Sequence, residues 1–120
     1  MTLQECYTAM DSDYADALGR QRSERLVQKF VLKFLDDTSF DLLERSLEAQ
    51  NYEEAFRAAH TIKGVCQNLS LSRLLASSSA LSEALRNGYT PEADPLLSQV
   101  QEDYRQTTDA IRAFQAGIGG

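Results

Sequence analysis

Apolar residues recur at spacings of three and four along most of this chain, which is the period of amphipathic helices. One such stripe begins after Ser23, a favourable N-cap, and ends at Asp36-Asp37. Thr38 or Ser39 is expected to cap the next helix. The apolar members of these two stripes are Leu26, Val27, Phe30, Val31, Phe34 and Leu35, then Phe40, Leu43 and Leu47. No segment alternates apolar and polar residues as a strand would.

The second half of the chain continues the same pattern. Asn51 and Glu54 have the spacing of a capping box, which predicts a central helix from Asn51 to about Leu69. A further helix over 70–86 should end at Asn87-Gly88, because glycine readily takes the left-handed conformation. The last helix follows two cap-and-proline pairs, and its seam comprises Leu97, Val100, Tyr104, Thr107, Ile111 and Phe114.

This pattern predicts an all-α fold, an antiparallel up-down four-helix bundle with an additional N-terminal helix or helical turns. We expect a single domain over 1–120, with the bundle at about 35–114. The first twenty residues hold short apolar clusters that predict two helical turns capping the bundle, within an N-terminal extension over 1–36. Three glycines near the end predict a flexible tail over 116–120.

The composition excludes several classes of function. Twelve basic and 18 acidic residues give a formal charge of -6, which disfavours nucleic acid as a partner. The most apolar segment, Phe30 to Leu35, is too short to span a membrane, and the N-terminus lacks the features of a signal peptide. We therefore expect a cytoplasmic protein, and the initial Met1 favours a free-standing one.

Two cysteines, Cys6 and Cys66, are accompanied by the single histidine of the chain, His60. These residues cannot supply an ordinary four-ligand zinc site, so no metal site is expected. Without a secretion signal the two cysteines are predicted to be reduced and partly buried thiols.

His60 is predicted to lie on the solvent-facing side of the central helix. At about 100° per residue, the small and apolar residues of this helix share one face that belongs in the core. That face comprises Ala55, Ala58, Ala59, Ile62, Cys66 and Leu69. His60 projects from the opposite, polar face. A lone histidine is usually a plain surface or core residue, so its neighbours decide the interpretation.

Lys63 and Gly64 follow His60 by three and four residues, so both lie one turn further along the same face. An exposed imidazole can attack a phosphoryl group, and the adjacent ammonium of Lys63 can offset the charge of the product. Gly64 should cost about 1 kcal/mol relative to alanine in mid-helix. A glycine that is present despite this cost indicates either that a partner needs access to the helix surface here or that two helices are in close contact.

Three further residues of the central helix are candidates. Gln67 could hydrogen-bond a phosphoryl group or orient the ring, although a plain surface glutamine explains it almost as well. Phe56, one turn before His60, is either a docking contact or packs under the N-terminal helix. Arg57 belongs to the same exposed patch and is expected to contact a partner.

The segment from His60 to Leu69, HTIKGVCQNL, resembles the histidine-containing phosphotransfer (HPt) motif, His-x-aliphatic-Lys-Gly followed by small residues. The resemblance continues into the next helix and covers roughly residues 35–114. It is carried there by Leu71, Leu74, Leu81 and Arg86. The chain departs from the family pattern at Ser70, where glycine is common, and at Ser82, where Glu or Gln is common and Glu83 follows.

The resemblance implies that His60 accepts a phosphoryl group from a receiver-domain aspartate or a sensor histidine kinase of the hybrid type. His60 would then pass it to a response-regulator receiver. Lys63 matches the charge-neutralising lysine of the family and Gly64 the glycine that lets the receiver approach, while Arg86 is assigned to partner binding. Mg²⁺ is expected from the partner receiver and no cofactor from this chain, which is expected to be a monomer.

Two other classes of function remain. A non-catalytic adaptor would bind a signalling partner through the patch around His60 without chemistry. A small hydrolase or metal enzyme would need a second histidine, and Glu53-Glu54 are explained by the helix start. The chain lacks a Walker-type loop, so we expect no kinase activity and no use of ATP.

Overall fold

A computed structural model describes residues 1–119 and shows seven α-helices there, without a strand. This confirms the all-helical fold predicted from the sequence. The helices are α1 (Leu3–Ala9), α2 (Tyr14–Gln21), α3 (Glu24–Phe34), α4 (Ser39–Glu48), α5 (Tyr52–Leu69), α6 (Ser72–Leu85) and α7 (Ala93–Gly119). None of these helices has the length and apolar character needed to cross a membrane.

Helices α4 to α7 form the bundle, with α5 packed between α4 and α6, and α6 packed on α7. The bundle is closed by aromatic side chains of the first and last of these helices. The ring of Phe40 stacks on that of Tyr104 with 4.0 Å between centroids, and Phe34 of α3 lies against the same tyrosine. The face of α5 predicted to be apolar is buried throughout.

The helix starts are partly as predicted. Ser23 accepts a hydrogen bond from the Leu26 amide, and Asn51 accepts one from the Glu54 amide at 3.2 Å. Neither Thr38 nor Ser39 caps α4 with its side chain. The carboxylate of Asp37 accepts from the Ser39 amide at 2.8 Å instead, because its oxygen reaches the first free amide of the helix.

The two N-terminal helices hold the C-terminal end of α5. The hydroxyl of Tyr7 donates to the Leu69 carbonyl at 2.7 Å in the core, and the amide of Gln21 donates to the Asn68 carbonyl at 3.1 Å. The last carbonyls of a helix have no partner within the helix. Helices α1 and α2 therefore satisfy carbonyls that α5 leaves free.

Three boundaries differ from the predictions. Helix α7 begins at Ala93, so the pair Asp94-Pro95, predicted to precede the helix, lies within its first turn. Helix α6 begins at Ser72 rather than at 70, because Ser70 takes a left-handed conformation that ends α5. Helix α7 extends to Gly119, so the flexible tail predicted over 116–120 is helical as far as that residue, and Gly120 lies outside the described residues. Both cysteines are free and buried, as predicted.

Candidate functional site

His60 is exposed in the middle of the outer face of α5. Its neighbours Ala58, Ala59 and Ile62 are buried on the opposite side and fix the rotation of the helix. Because this apolar face is anchored between α4 and α6, the imidazole is presented to solvent from a rigid helix rather than from a loop.

An aromatic and charged stack extends from His60 toward α6. The rings of Phe56 and His60 are stacked with 6.0 Å between centroids and 27° between planes. The guanidinium of Arg86 lies over the ring of Phe56, 5.3 Å from its centroid. Glu83 accepts hydrogen bonds from Arg86 at 3.0 and 3.2 Å. Phe56 is thus partly covered by Arg86, while α1 and α2 contact the far end of α5.

The cations around His60 differ in whether their charge is already paired. Arg57 forms ion pairs with Glu53 at 2.6 Å and Glu54 at 3.2 Å, and Arg86 is paired with Glu83. Within residues 1–119, Lys63 has no ion pair. Its ammonium is therefore the cation near His60 that is free to meet an incoming anion.

The charges of two cations, Arg86 and Lys63, act on the carboxylate of Glu83. Its pKa is lowered mainly by the hydrogen bond from Arg86 and by the charge of that guanidinium, and further by the charge of Lys63. Glu83 of α6 therefore lies near enough to Lys63 of α5 for their charges to interact, although the two residues form no ion pair.

Gly64 faces open space. A β-carbon built at this position meets no atom within 4 Å outside the local backbone, so no neighbouring helix requires a glycine here. This excludes the explanation by close helix contact that the sequence left open. The missing side chain instead leaves the surface of the helix open one turn beyond His60.

Gln67 is exposed on the same face but lies two turns beyond His60. The helical rise places it about 10 Å along the axis from the histidine, against about 5 Å for Lys63. The structure therefore brings Phe56, Lys63 and Gly64 next to His60, and leaves Gln67 at the rim of the site.

The two departures from the family pattern have different consequences. Ser70 is left-handed at φ 55°, ψ 41°, and its hydroxyl donates to Asp16 of α2 at 2.5 Å. Ser82 is buried, so its side chain does not belong to the outer face. The neighbouring Glu83 is exposed there instead.

Two residues around this helix, Glu83 and Asp16, received no role in the sequence interpretation. Glu83 lies three residues before Arg86, the C-cap of α6, and this spacing alone is a signal for an ion pair. Asp16 could not be found in the same way, because its contact with Ser70 joins residues 54 positions apart.

Comparison with known proteins gives one match. The family model described as Hpt domain matches residues 25–113, from the first turn of α3 to α7. The matched region contains His60 and all residues named around it, and it leaves out α1 and α2. No curated protein and no solved structure matches the chain.

Proposed function

Because the chain belongs to the Hpt domain family, whose members transfer phosphoryl groups through a histidine in phosphorelays, we propose that His60 is its phosphoryl-accepting residue. His60 accepts the group from a receiver aspartate or a sensor histidine kinase and passes it to a response-regulator receiver. The observation that carries this proposal is the position of His60 beside the open surface of Gly64, where a receiver pocket can close over the imidazole.

The transfer is an in-line displacement at phosphorus. The ring nitrogen of neutral His60 that bears no hydrogen attacks the partner's aspartyl phosphate, a P–N bond forms, and the P–O bond to the aspartate breaks. The carboxylate leaves as an anion, and the imidazole keeps its other N–H. Donation to the next receiver is the same step in reverse, so the protein is a carrier that returns unchanged.

Lys63 stabilises the phosphorylated form. The phosphoryl oxygens carry negative charge, and a charge-assisted hydrogen bond from an unpaired ammonium is stronger than one between neutral groups. Arg57 and Arg86 are less suited to this role because each already neutralises a carboxylate. Phe56 and Arg86 instead form the side of the surface that contacts the partner.

The remaining chemistry belongs to the partner. We propose that the receiver supplies Mg²⁺ and the acidic pocket that stabilises the metaphosphate-like transition state, as phosphoryl transfer requires. This chain supplies the nucleophile, its orientation and one cation, and it has no kinase activity of its own.

The test is transfer of labelled phosphoryl from a panel of phosphorylated receiver domains to the wild-type protein and to His60→Gln. Acid-labile, base-stable label on the wild type alone is the expected result. Circular dichroism of both proteins controls for folding, and because His60 is exposed the substitution should leave the helices intact.

The same experiment separates the carrier from an adaptor. If no receiver labels the wild type while one of them binds it, and His60→Gln binds that receiver equally well, the protein is an adaptor and the phosphotransfer proposal is wrong.

A further inference from the structure

Four cations follow one another along the outer side of the α2–α3 segment: Arg22, Arg25, Lys29 and Lys33, here named the α3 cation stripe. All four are exposed. The last three lie on α3 at spacings of four residues and so share one face, and Arg22 precedes them at the junction of the two helices. Glu24 is the only carboxylate in the sequence between Arg22 and Lys33.

Within residues 1–119, the four cations of the stripe form no ion pairs, unlike the arginines elsewhere on the surface. Seven of the twelve basic residues are arginines in ion pairs: Arg20, Arg45, Arg57, Arg73, Arg86, Arg105 and Arg112. In the part of the chain described, the other five have no ion pair. These are the four cations of the stripe and Lys63.

The last cation of the stripe, Lys33, lies beside the helix that bears His60. Lys33 lines a groove between α3 and α5 of about 360 Å³, together with Phe30 and Phe34 of α3 and Val65 and Asn68 of α5. Val65 directly follows Gly64 on α5. A partner that lies over the open surface of Gly64 and extends toward α3 therefore meets this groove and then the cations beyond it.

We propose that the α3 cation stripe binds an acidic surface of the receiver that exchanges phosphoryl with His60. This inference rests on the proposed function. Four unpaired cations in a chain of charge -6 are complementary to a compact patch of carboxylates on a folded partner. Asp36 and Asp37, which line the same groove as Lys33, mark where this positive surface ends.

A folded receiver fits the stripe better than nucleic acid or an anionic membrane. An extended polyanion would also contact the surface around the stripe, where the net negative charge of the chain would repel it. At physiological ionic strength charges interact over about 8 Å, so a partner patch facing the stripe experiences the local positive field. The expected consequence is faster association with the receiver at low salt.

The test compares two triple variants with the same change in net charge. The stripe variant, Arg25→Gln with Lys29→Gln and Lys33→Gln, removes the three stripe cations that lie on α3. The control variant, Arg45→Gln with Arg105→Gln and Arg112→Gln, removes paired cations of α4 and α7. The second-order rate of phosphoryl transfer from a phosphorylated receiver is measured from 20 mM to 500 mM salt. Urea unfolding shows whether each variant is folded.

The stripe variant is expected to transfer on the order of tenfold more slowly at low salt, and its rate should depend less on salt than that of the wild type. Its final extent of labelling stays at the wild-type level, because His60 and Lys63 are intact. The control variant should remain within about twofold of the wild type at every salt concentration.

Equal rates for the stripe variant and the wild type would overturn the inference and leave the phosphocarrier function standing. Equal slowing of both variants would overturn it too, since the effect would then be one of net charge. Binding of the wild type, but not of the stripe variant, to anionic vesicles or duplex DNA at physiological salt, with transfer unaffected, would assign the stripe to that polyanion. Failure of the wild type to accept phosphoryl from any receiver would reject the proposed function and this inference with it.

Discussion

Ser70 and Asp16 are joined by a hydrogen bond of 2.5 Å between the end of the histidine-bearing helix and the N-terminal helix α2. Ser70 holds a left-handed conformation at φ 55°, which disfavours residues with a β-carbon. Asp16 also forms an ion pair with Arg20 at 2.8 Å, which fixes the carboxylate. The contact with α2 thus supports a serine where the family commonly has glycine.

A double-mutant cycle tests whether the hydrogen bond to Asp16 compensates for the unfavourable left-handed conformation of Ser70. In an Asp16→Ala background, Ser70→Gly should stabilise the protein by about 1 kcal/mol, because glycine relieves the left-handed conformation and no hydrogen bond is lost. In the wild-type background the gain should be smaller, since the substitution also removes the bond. Urea unfolding measures both.

Asp41→Ala is the matched control, because it also removes one ion pair between an aspartate and an arginine four residues later. Ser70→Gly should have its wild-type effect in that background. An identical effect of Ser70→Gly in all three backgrounds would show that Asp16 gives Ser70 no support.

The same contact should depend on pH. The hydrogen bond from Ser70 and, next, that from Arg20 lower the pKa of Asp16 in the folded state. A lowered folded pKa means that the stabilisation is complete above the unfolded pKa, about 3.9, and is lost as pH falls through the lower folded value. The stability difference between wild type and Asp16→Asn should therefore shrink between pH 5 and pH 2. A difference that is constant over this range contradicts the assignment.

Tyr7→Phe should destabilise the fold by about 1 to 3 kcal/mol, because it leaves the buried Leu69 carbonyl without its hydroxyl donor. Tyr89→Phe is the control, since that hydroxyl bonds Asp94 at the surface and its loss should cost less than about 0.5 kcal/mol. Urea unfolding of the two variants measures the difference. Equal small losses would mean that the Tyr7 hydroxyl contributes nothing to holding α5.

The contacts at the end of α5 mark the limit of what the sequence could predict. The periods of three and four located α3 to α7, and the angular order of residues on the central helix placed His60 outside and Ile62 inside, because both follow from local geometry. The contacts of Tyr7 with Leu69 and of Asp16 with Ser70 join positions more than 50 residues apart. Local patterns carry no information about such pairs.

The helix ends show a second limit. Aspartate, serine and threonine all cap helices, so the sequence could not rank Asp37 above Thr38 at the start of α4. The three glycines near the chain end predict a flexible tail, yet α7 extends to Gly119. A glycine lowers helix propensity by only about 1 kcal/mol, which is too little to end a helix by itself.

Gly64→Ala should raise the stability of the fold and lower the rate of phosphoryl transfer. Outside the adjacent residues and the local helix backbone, a methyl group at this position meets no atom within 4 Å, so the substitution should stabilise the helix by about 1 kcal/mol. The same methyl group stands where the receiver must approach His60, so the transfer rate should fall on the order of tenfold or more. Thermal or urea unfolding and labelled transfer are measured on the same samples.

Gly19→Ala in α2 is the matched control, because a β-carbon there is also unobstructed and lies outside the Hpt match. It should stabilise the protein and leave transfer unchanged. If Gly64→Ala transfers phosphoryl at the rate of Gly19→Ala, the open surface at Gly64 is not needed for the approach of the receiver.

Lys63→Gln should shorten the lifetime of the phosphorylated protein and slow its formation, each on the order of tenfold. The substitution removes the unpaired ammonium that offsets the phosphoryl charge and leaves the side-chain length nearly unchanged. Lys63→Arg keeps the charge and should restore most of the lifetime, whereas Arg45→Gln removes a distant paired cation and should have no effect. The measurement is the decay of acid-labile label on the isolated, phosphorylated protein, where no receiver is present. A lifetime that is the same in Lys63→Gln and the wild type would mean that Lys63 acts on the partner rather than on the phosphoryl group of His60.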